Sequence, residues 1–407
     1  MHYFYVQVKV AQITHQSPLR MKNSHTKPII IIVVLGFIFA FLYHMHVGGG
    51  TGPSIKKEPI KIGGISALTG VGVDIGVEEM KGAQLAVAEI NAAGGINGHP
   101  LELISEDVSL DKLKVAVSVV TKLIHADGVV AIVGPQWDEP AMSILPIIEA
   151  AQIPTIGPDN SPMLKAQHEY RFFFSTWVDN RVGIREILRY AQLHNIKDVA
   201  ILKPIAAGFW EYTAQIMKEE APRYGVRIVA EENVGNPLVT DFKTSLLKLK
   251  QSNPQAIFAV TSDYNQCPFL KQLSQVGFSG VTFGTESSGD PSSLAQCSGL
   301  LTRRYFSTPV YAGDRYSKFV AAFKTRYGME PKYPTSATSY DAVYAVAHGL
   351  KASNLRGGEA LREAISKLRY AGASQPEISF QENGFVATPE NAFEMQVARG
   401  GKFVKAE

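Results

Sequence analysis

Cysteine is scarce, with two residues in 407, Cys267 and Cys297. That excludes a disulfide-dense scaffold and any zinc site built mainly from thiolates. Glycine-rich phosphate loops are missing too. No G-x-x-x-x-G-K-[ST], G-x-G-x-x-G, G-x-S-x-G or H-E-x-x-H occurs, which argues against a P-loop enzyme, a dinucleotide enzyme, an α/β-hydrolase and a zincin. The five histidines after residue 57 (His99, His125, His168, His194 and His348) stand singly, without metal-ligand spacing. Neither cysteine lies beside an evident base, so nucleophilic catalysis has no support. The expectation is a protein with no catalytic residues, no cofactor and no metal.

Acidic residues are absent from Met1 to Lys57, where six Lys or Arg occur. The remaining 34 basic and 37 acidic residues give the body a charge of about −3, so the overall +3 belongs to the leader. Nothing in the body suggests a nucleic-acid surface. Ile29 to Tyr43 is an unbroken apolar run, preceded by Lys22 and Lys27 and followed by Gly48-Gly49-Gly50-Thr51-Gly52-Pro53-Ser54. A basic flank, an apolar stretch and a flexible spacer read as an export signal. The run lies between the length of a signal-peptide core and that of a spanning helix. A cleaved signal and an uncleaved inner-membrane anchor therefore both remain open. Met21-Lys22 offers a second start. The basic flank places the body outside the cytoplasm, where a disulfide between Cys267 and Cys297 is permitted, though sequence alone cannot pair them.

The body is too long for one core, and two lobes are expected. Short β-branched runs read as strands: Ile60–Leu68, Leu101–Glu106, Val129–Gly134, Ile153–Gly157, Arg171–Thr176, Asp198–Lys203, Arg227–Glu232, Ala256–Thr261, Val281–Gly284 and Tyr305–Thr308. Amphipathic stretches lie between them. Leu113–Asp127 presents Leu113, Ala116, Val117, Val120, Leu123 and Ile124 as one stripe; Asp179–His194, Phe209–Tyr224 and Val239–Lys250 are also helical. Strands alternating with helices predict parallel sheets. Two or three successive helices then cover Asp314–Tyr327, Thr335–Ala352 and Glu359–Leu368. A hairpin follows, from Glu377–Phe380 through Glu382-Asn383-Gly384 to Phe393–Val397.

Ile62-Gly63-Gly64-Ile65-Ser66-Ala67-Leu68-Thr69-Gly70, followed by Glu89-Ile90-Asn91-Ala92-Ala93-Gly94-Gly95-Ile96-Asn97-Gly98, resembles the opening of type I periplasmic binding proteins. The branched-chain amino-acid (Leu/Ile/Val) subgroup serving ABC importers is the most similar. Ile132-Val133-Gly134-Pro135, Ser339-Tyr340-Asp341-Ala342-Val343-Tyr344 and Phe380-Gln381-Glu382-Asn383-Gly384 continue the match in order. The resemblance implies two Rossmann-like lobes with parallel sheets, joined by three crossovers, that close on a ligand in the cleft. It places residues 59–176 with 309–375 in lobe 1, 177–308 with 376–407 in lobe 2, and 1–58 as leader. The crossovers fall near Thr176–Asp179, Ser307–Tyr311 and Ser374–Ile378. An importer permease is the implied partner, and the body is expected to be monomeric.

Residues just beyond the strands are the candidate ligand contacts. The family has small hydroxyl residues where Trp137 and Asp138 fall, and Asp138 departs from that pattern because an acid cannot hold a carboxylate unaided. Asn160 and Ser161 match positions that hold the ligand carboxylate. Phe209-Trp210 fall where an aromatic caps the ligand, and Asp263 follows the strand ending at Thr261. Glu286 falls where some members pair the ligand ammonium. Independently of the family, all three tryptophans (Trp137, Trp177 and Trp210) lie at strand ends, accompanied by acids. Aromatic faces with carboxylates suit an amino acid, amine or aromatic amine. The bland alternative is that the tryptophans seal strand ends and the acids cap helices, as Asp179 before Asn180 would. A second function, a ligand-sensing receptor domain signalling through a partner, uses the same clamp.

Overall fold

The computed structural model describes residues 57–109, 113–158, 170–206, 208–262 and 264–407. The apolar run 29–43, Asn160, Ser161 and Asp263 lie outside the described residues.

The first sheet is parallel throughout. It comprises β1 (Ile60–Ser66), β2 (Leu101–Asp107), β3 (Ile132–Val133), β4 (Thr155–Gly157) and β5 (Phe173–Ser175), in the order β2-β1-β3-β4-β5. The second sheet holds β6 (Asp198–Pro204), β7 (Arg227–Val234), β8 (Ala256–Ala259), β9 (Val281–Gly284) and β10 (Arg304–Pro309). β13 (Phe393–Arg399) and β14 (Lys402–Lys405) are added antiparallel at one edge, in the order β14-β13-β10-β9-β8-β6-β7. Read from its far edge, the β7-β6-β8-β9-β10 part repeats the strand order of the first sheet. Each sheet therefore reverses direction once, between β1 and β3 and between β6 and β8. Ligands of open parallel sheets bind beyond the strand C-termini at that reversal.

Eleven helices among the described residues cover the two sheets. α1 (Val73–Ala92), α2 (Leu113–Lys122) and α3 (Asp138–Ala151) alternate with the first sheet's strands. α4 (Asn180–Leu193), α5 (Phe209–Glu220), α6 (Lys243–Gln251), α7 (Gln266–Gln275) and α8 (Pro291–Cys297) alternate with those of the second. α9 (Asp314–Tyr327), α10 (Thr335–Ala352) and α11 (Gly358–Ser366) return to the first lobe. There Phe319, Phe323, Val343, Val346 and Ile365 join Ile62, Met80 and Val133 in one buried core. β11 (Arg369–Tyr370) pairs antiparallel with β12 (Ile378–Ser379). The chain passes between the lobes three times, after β5, after β10 and after β12.

Local chemistry explains the close packing. Gly82 lets α1 lie on α10, since a Cβ there would stand 2.0 Å from the Ser336 carbonyl oxygen. The Ile90–Gly98 motif is structural: the Asn91 side chain holds both the amide and the carbonyl of Leu101 at 2.7 and 2.8 Å, fixing α1 to β2.

Three expectations need correction. The α2 stripe is Ala116, Val119, Val120 and Leu123, all buried, whereas Val117 is exposed. Offsets of 3, 4 and 7 from Ala116 select Val119, Val120 and Leu123 over Val117. Asn383-Gly384 does make a tight turn, but it closes only the single Phe380–Val386 bridge. β13 instead forms its hairpin with β14 across Gly400-Gly401, both at positive φ, and pairs on its other side with β10. Asp138 to Pro140, read as loop, is the first turn of α3.

Glu79 on α1 is 2 % exposed, with the Ser66 hydroxyl oxygen 2.8 Å from its carboxylate. Burial pushes its carboxyl up to about 8. A raised folded-state value gives a contribution that is complete below the unfolded value and is lost as pH rises through the folded one. Relative to the parent, Glu79→Gln should gain roughly 2 kcal/mol of stability between pH 6 and pH 8. Urea unfolding at the two pH values checks this; parallel pH profiles for the two proteins would contradict it.

Candidate functional site

A cavity of about 310 Å³ lies where the two strand-order reversals face each other. From the first lobe come Ile75 at the start of α1, Trp137 and Asp138 at the start of α3, and the 332–335 segment before α10. From the second come Phe209 and Trp210 opening α5, Ser262 and Tyr264 after β8, and Glu286 after β9. All three tryptophans of the chain line this one space. The Trp177 indole N–H is 3.3 Å from Asn180 Oδ1, and the ring is almost fully buried. Trp137 is laid over Gly72, where an added Cβ would stand 2.3 Å from the ring. Trp210 and Phe209 meet edge to face, with ring centroids 5.3 Å apart.

The lining is acidic. Asp138, Glu139, Glu286 and Asp290 face it, against Lys332 as the cation among the described lining residues. Asp290 is committed to capping α8, accepting from the Ser292 amide and hydroxyl at 2.9 and 2.6 Å. Burial raises the Glu139 carboxyl above its ordinary value. Asp138 is 6 % exposed, and its Oδ2 accepts the Phe209 amide N–H from the opposite lobe. Glu286 makes no ion pair among the described residues, and burial pushes its carboxyl up to about 7.

Behind Glu286 lies Arg304, fully buried on β10. Its guanidinium donates to the carbonyls of Phe283 and Ala259 at 2.6 and 2.8 Å, to Thr261 Oγ1 at 3.0 Å and to Ser288 Oγ at 3.0 Å. Every one of these acceptors is neutral, and desolvation pulls the guanidinium down to about 9. The side chain ties the ends of β8 and β9 to the turn that carries Glu286. From the other side, Gln266 Nε2 holds Ser288 O at 3.1 Å and Ser293 Oγ at 2.9 Å. Cys267 on α7 and Cys297 on α8 are joined, with Cα atoms 5.8 Å apart.

The structure thus brings Trp137, Asp138, Trp177, Phe209, Trp210 and Glu286 to one cavity. Asp179 is set apart as the N-cap of α4, accepting from Arg181 N at 2.9 Å. Tyr264, Phe306, Lys332 and Tyr333 also line the space and were not singled out in the sequence. Tyr264 follows a strand end and obeys the rule that found its neighbours. Lys332 and Tyr333 sit in a helix–helix connection, to which no strand-end rule applies. No cluster of three or more potential metal ligands occurs among the described residues.

A family model described as periplasmic binding protein matches residues 59–402. The Leu-, Ile-, Val-, Thr- and Ala-binding protein of Pseudomonas aeruginosa is 26 % identical over 347 residues, covering 84 % of this chain and 90 % of that one. The Leu/Ile/Val-binding protein of Escherichia coli K12 is 25 % identical over 230 residues, 56 % of this chain and 62 % of that one. Among solved structures, the branched-chain amino acid transporter substrate binding protein of Streptococcus pneumoniae, in complex with isoleucine, superposes with a TM-score of 0.74 at 25 % identity. It covers 86 % of this chain and all of that one. A Rhodopseudomonas palustris ABC-transporter solute binding protein in complex with benzoate shares the fold, with a TM-score of 0.72 at 17 % identity over 85 % and 95 % of the two chains.

Proposed function

We infer, since the chain belongs to the periplasmic binding protein family, that it captures an extracytoplasmic amino acid or related small amine by lobe closure and hands it to the permease of an ABC importer. The family is one of solute-binding proteins, and no covalent step is involved. The observation that carries the ligand class is Glu286, a half-buried carboxyl with no ion-pair partner among the described residues, in an aromatic cavity where four acids face the single lysine Lys332. A ligand ammonium would supply that charge, because an ion in a closed cleft must be paired. Trp137, Trp177, Phe209 and Trp210 offer the faces that an alkyl or aromatic side chain and its amine can stack on. Asn160, Ser161 and Asp263 remain candidates to complete the site.

The proposed lobes are 59–176 with 309–386 and 177–308 with 387–407. The last boundary stands later than the expected 375 because Phe380 and Phe385 pack on the first sheet. Residues 29–43 are proposed to direct export or tether the chain to the inner membrane. Membrane fractionation of the expressed full chain distinguishes an exported soluble body from a tethered one.

The reading is tested by calorimetry and thermal shift with leucine, isoleucine, aromatic amines, polyamines and amine-free carboxylates. A true ligand raises the melting temperature by mass action, about 2.7 kcal/mol of added stability at a concentration 100 times Kd. The expected hits all carry an amine. Binding confined to amine-free acids such as benzoate would overturn the proposal.

A further inference from the structure

We propose that Asp138 is a positioning residue that latches the two lobes together, rather than a partner for the ligand's amine. The inference rests on the clamp function stated above. The N-cap of α5 is Gly208, which has no side chain with which to cap the helix. The first turn of a helix leaves amide N–H groups that seek an acceptor. Here the acceptor comes from the other lobe: the Asp138 carboxylate takes the Phe209 N–H. Asp138 itself opens α3, whose N-cap Trp137 makes no side-chain cap either. One carboxylate therefore sits between two helix N-termini, whose partial positive charges would otherwise face each other across the closed cleft.

Gly208 is shaped for this contact in two respects. Its φ is +71°, a region that L side chains avoid, and a Cβ would stand 2.0 Å from Asp138 Oδ2. A second link of the same kind lies nearby, where the Gly72 amide donates to the Tyr264 hydroxyl at 3.0 Å across the cleft. Both links join lobes that must separate to admit a ligand, so both belong to the closed state alone. A cap supplied only on closing biases the open–closed equilibrium by the strength of that cap. Such a bias changes apparent affinity by the same factor for every ligand the closed cleft accepts.

The chain offers a direct readout, because its three tryptophans all line the cleft. Their emission and the radius of gyration of the full chain report closure without any ligand. Relative to the parent, ligand-free Asp138→Ala should emit further to the red and scatter as a larger particle. It should bind leucine, isoleucine and an aromatic amine more weakly by one common factor of about 2 to 30. Asp138→Asn, which keeps an acceptor oxygen but not the charge, should fall between. Gly208→Ala should reproduce the Asp138→Ala shift, and the double variant should be no worse than Gly208→Ala alone, as expected for two halves of one contact. Additive effects, or losses at Asp138→Ala that differ several-fold between leucine, isoleucine and the aromatic amine, would overturn the latch. If the parent binds none of these probes, the ligand class fails while the ligand-free emission and scattering still decide the latch.

Discussion

Glu286→Gln lowers the affinity for an amine ligand by about 30- to 4,000-fold at pH 8, and the difference from the parent narrows towards pH 5.5. The substitution keeps size and hydrogen-bonding atoms and removes only the charge. In the free protein, burial pushes the Glu286 carboxyl up to about 7. A ligand ammonium favours the ionised form, so binding below pH 7 must expel a proton. Each pH unit below that value therefore weakens binding by the parent up to about tenfold. The glutamine protein has no such proton, and its affinity should be flat over the same range. Titration calorimetry at pH 5.5, 7 and 8, in buffers of different ionisation enthalpy, reads both the affinity and the proton released. A parent whose affinity ignores pH, or a glutamine variant that binds as tightly as the parent, would remove Glu286 from the ammonium site. The expectation is independent of the Asp138 latch, because the latch acts alike on every ligand.

The period of the pattern decided what could be read before the structure. Ten short runs rich in β-branched residues named the ten strands of the two parallel layers. The inner ones are apolar because both faces are covered, whereas the edge strands β2 and β7 carry exposed acids and were found by their Ile and Val. β14 escaped notice because Lys402, Phe403, Val404 and Lys405 form a short edge strand with exposed charge, which looks like tail. The strand-end rule found Trp137, Phe209, Trp210 and Glu286, since the loops after parallel strands carry the site whatever the ligand. It could not find Tyr333, which reaches the cavity from the connection before α10. Nor could it show what Asp138 touches. A contact between residues 71 positions apart depends on lobe placement, and no local spacing encodes it. Arg304 was invisible for a related reason. Arginine in a strand reads as an edge or surface residue, yet here five neutral groups gathered from β8, β9, α7 and the following turn hold it.

Replacing Cys267 and Cys297 together by alanine lowers the unfolding free energy by about 3–4 kcal/mol, the loop-closure value for a link spanning 30 residues. The chain so enclosed runs from α7 through β9 to α8 and contains Glu286. The link therefore restrains the unfolded chain and also brackets the turn that carries the proposed ammonium partner. In the native state that turn is held in addition by Arg304 and Gln266 through Ser288. Those bonds survive the double substitution, so the fold should persist with its cleft intact. Affinity for an amine ligand should fall far less than in Glu286→Gln. Urea unfolding of the parent, with and without reductant, and of the alanine pair provides the check. The reduced parent and the alanine pair should agree to within the packing difference of two thiols. An oxidised parent no more stable than either would show that the unfolded chain is not restrained by this link. A loss of binding as large as that of Glu286→Gln would show that Arg304 and Gln266 do not suffice to hold the turn.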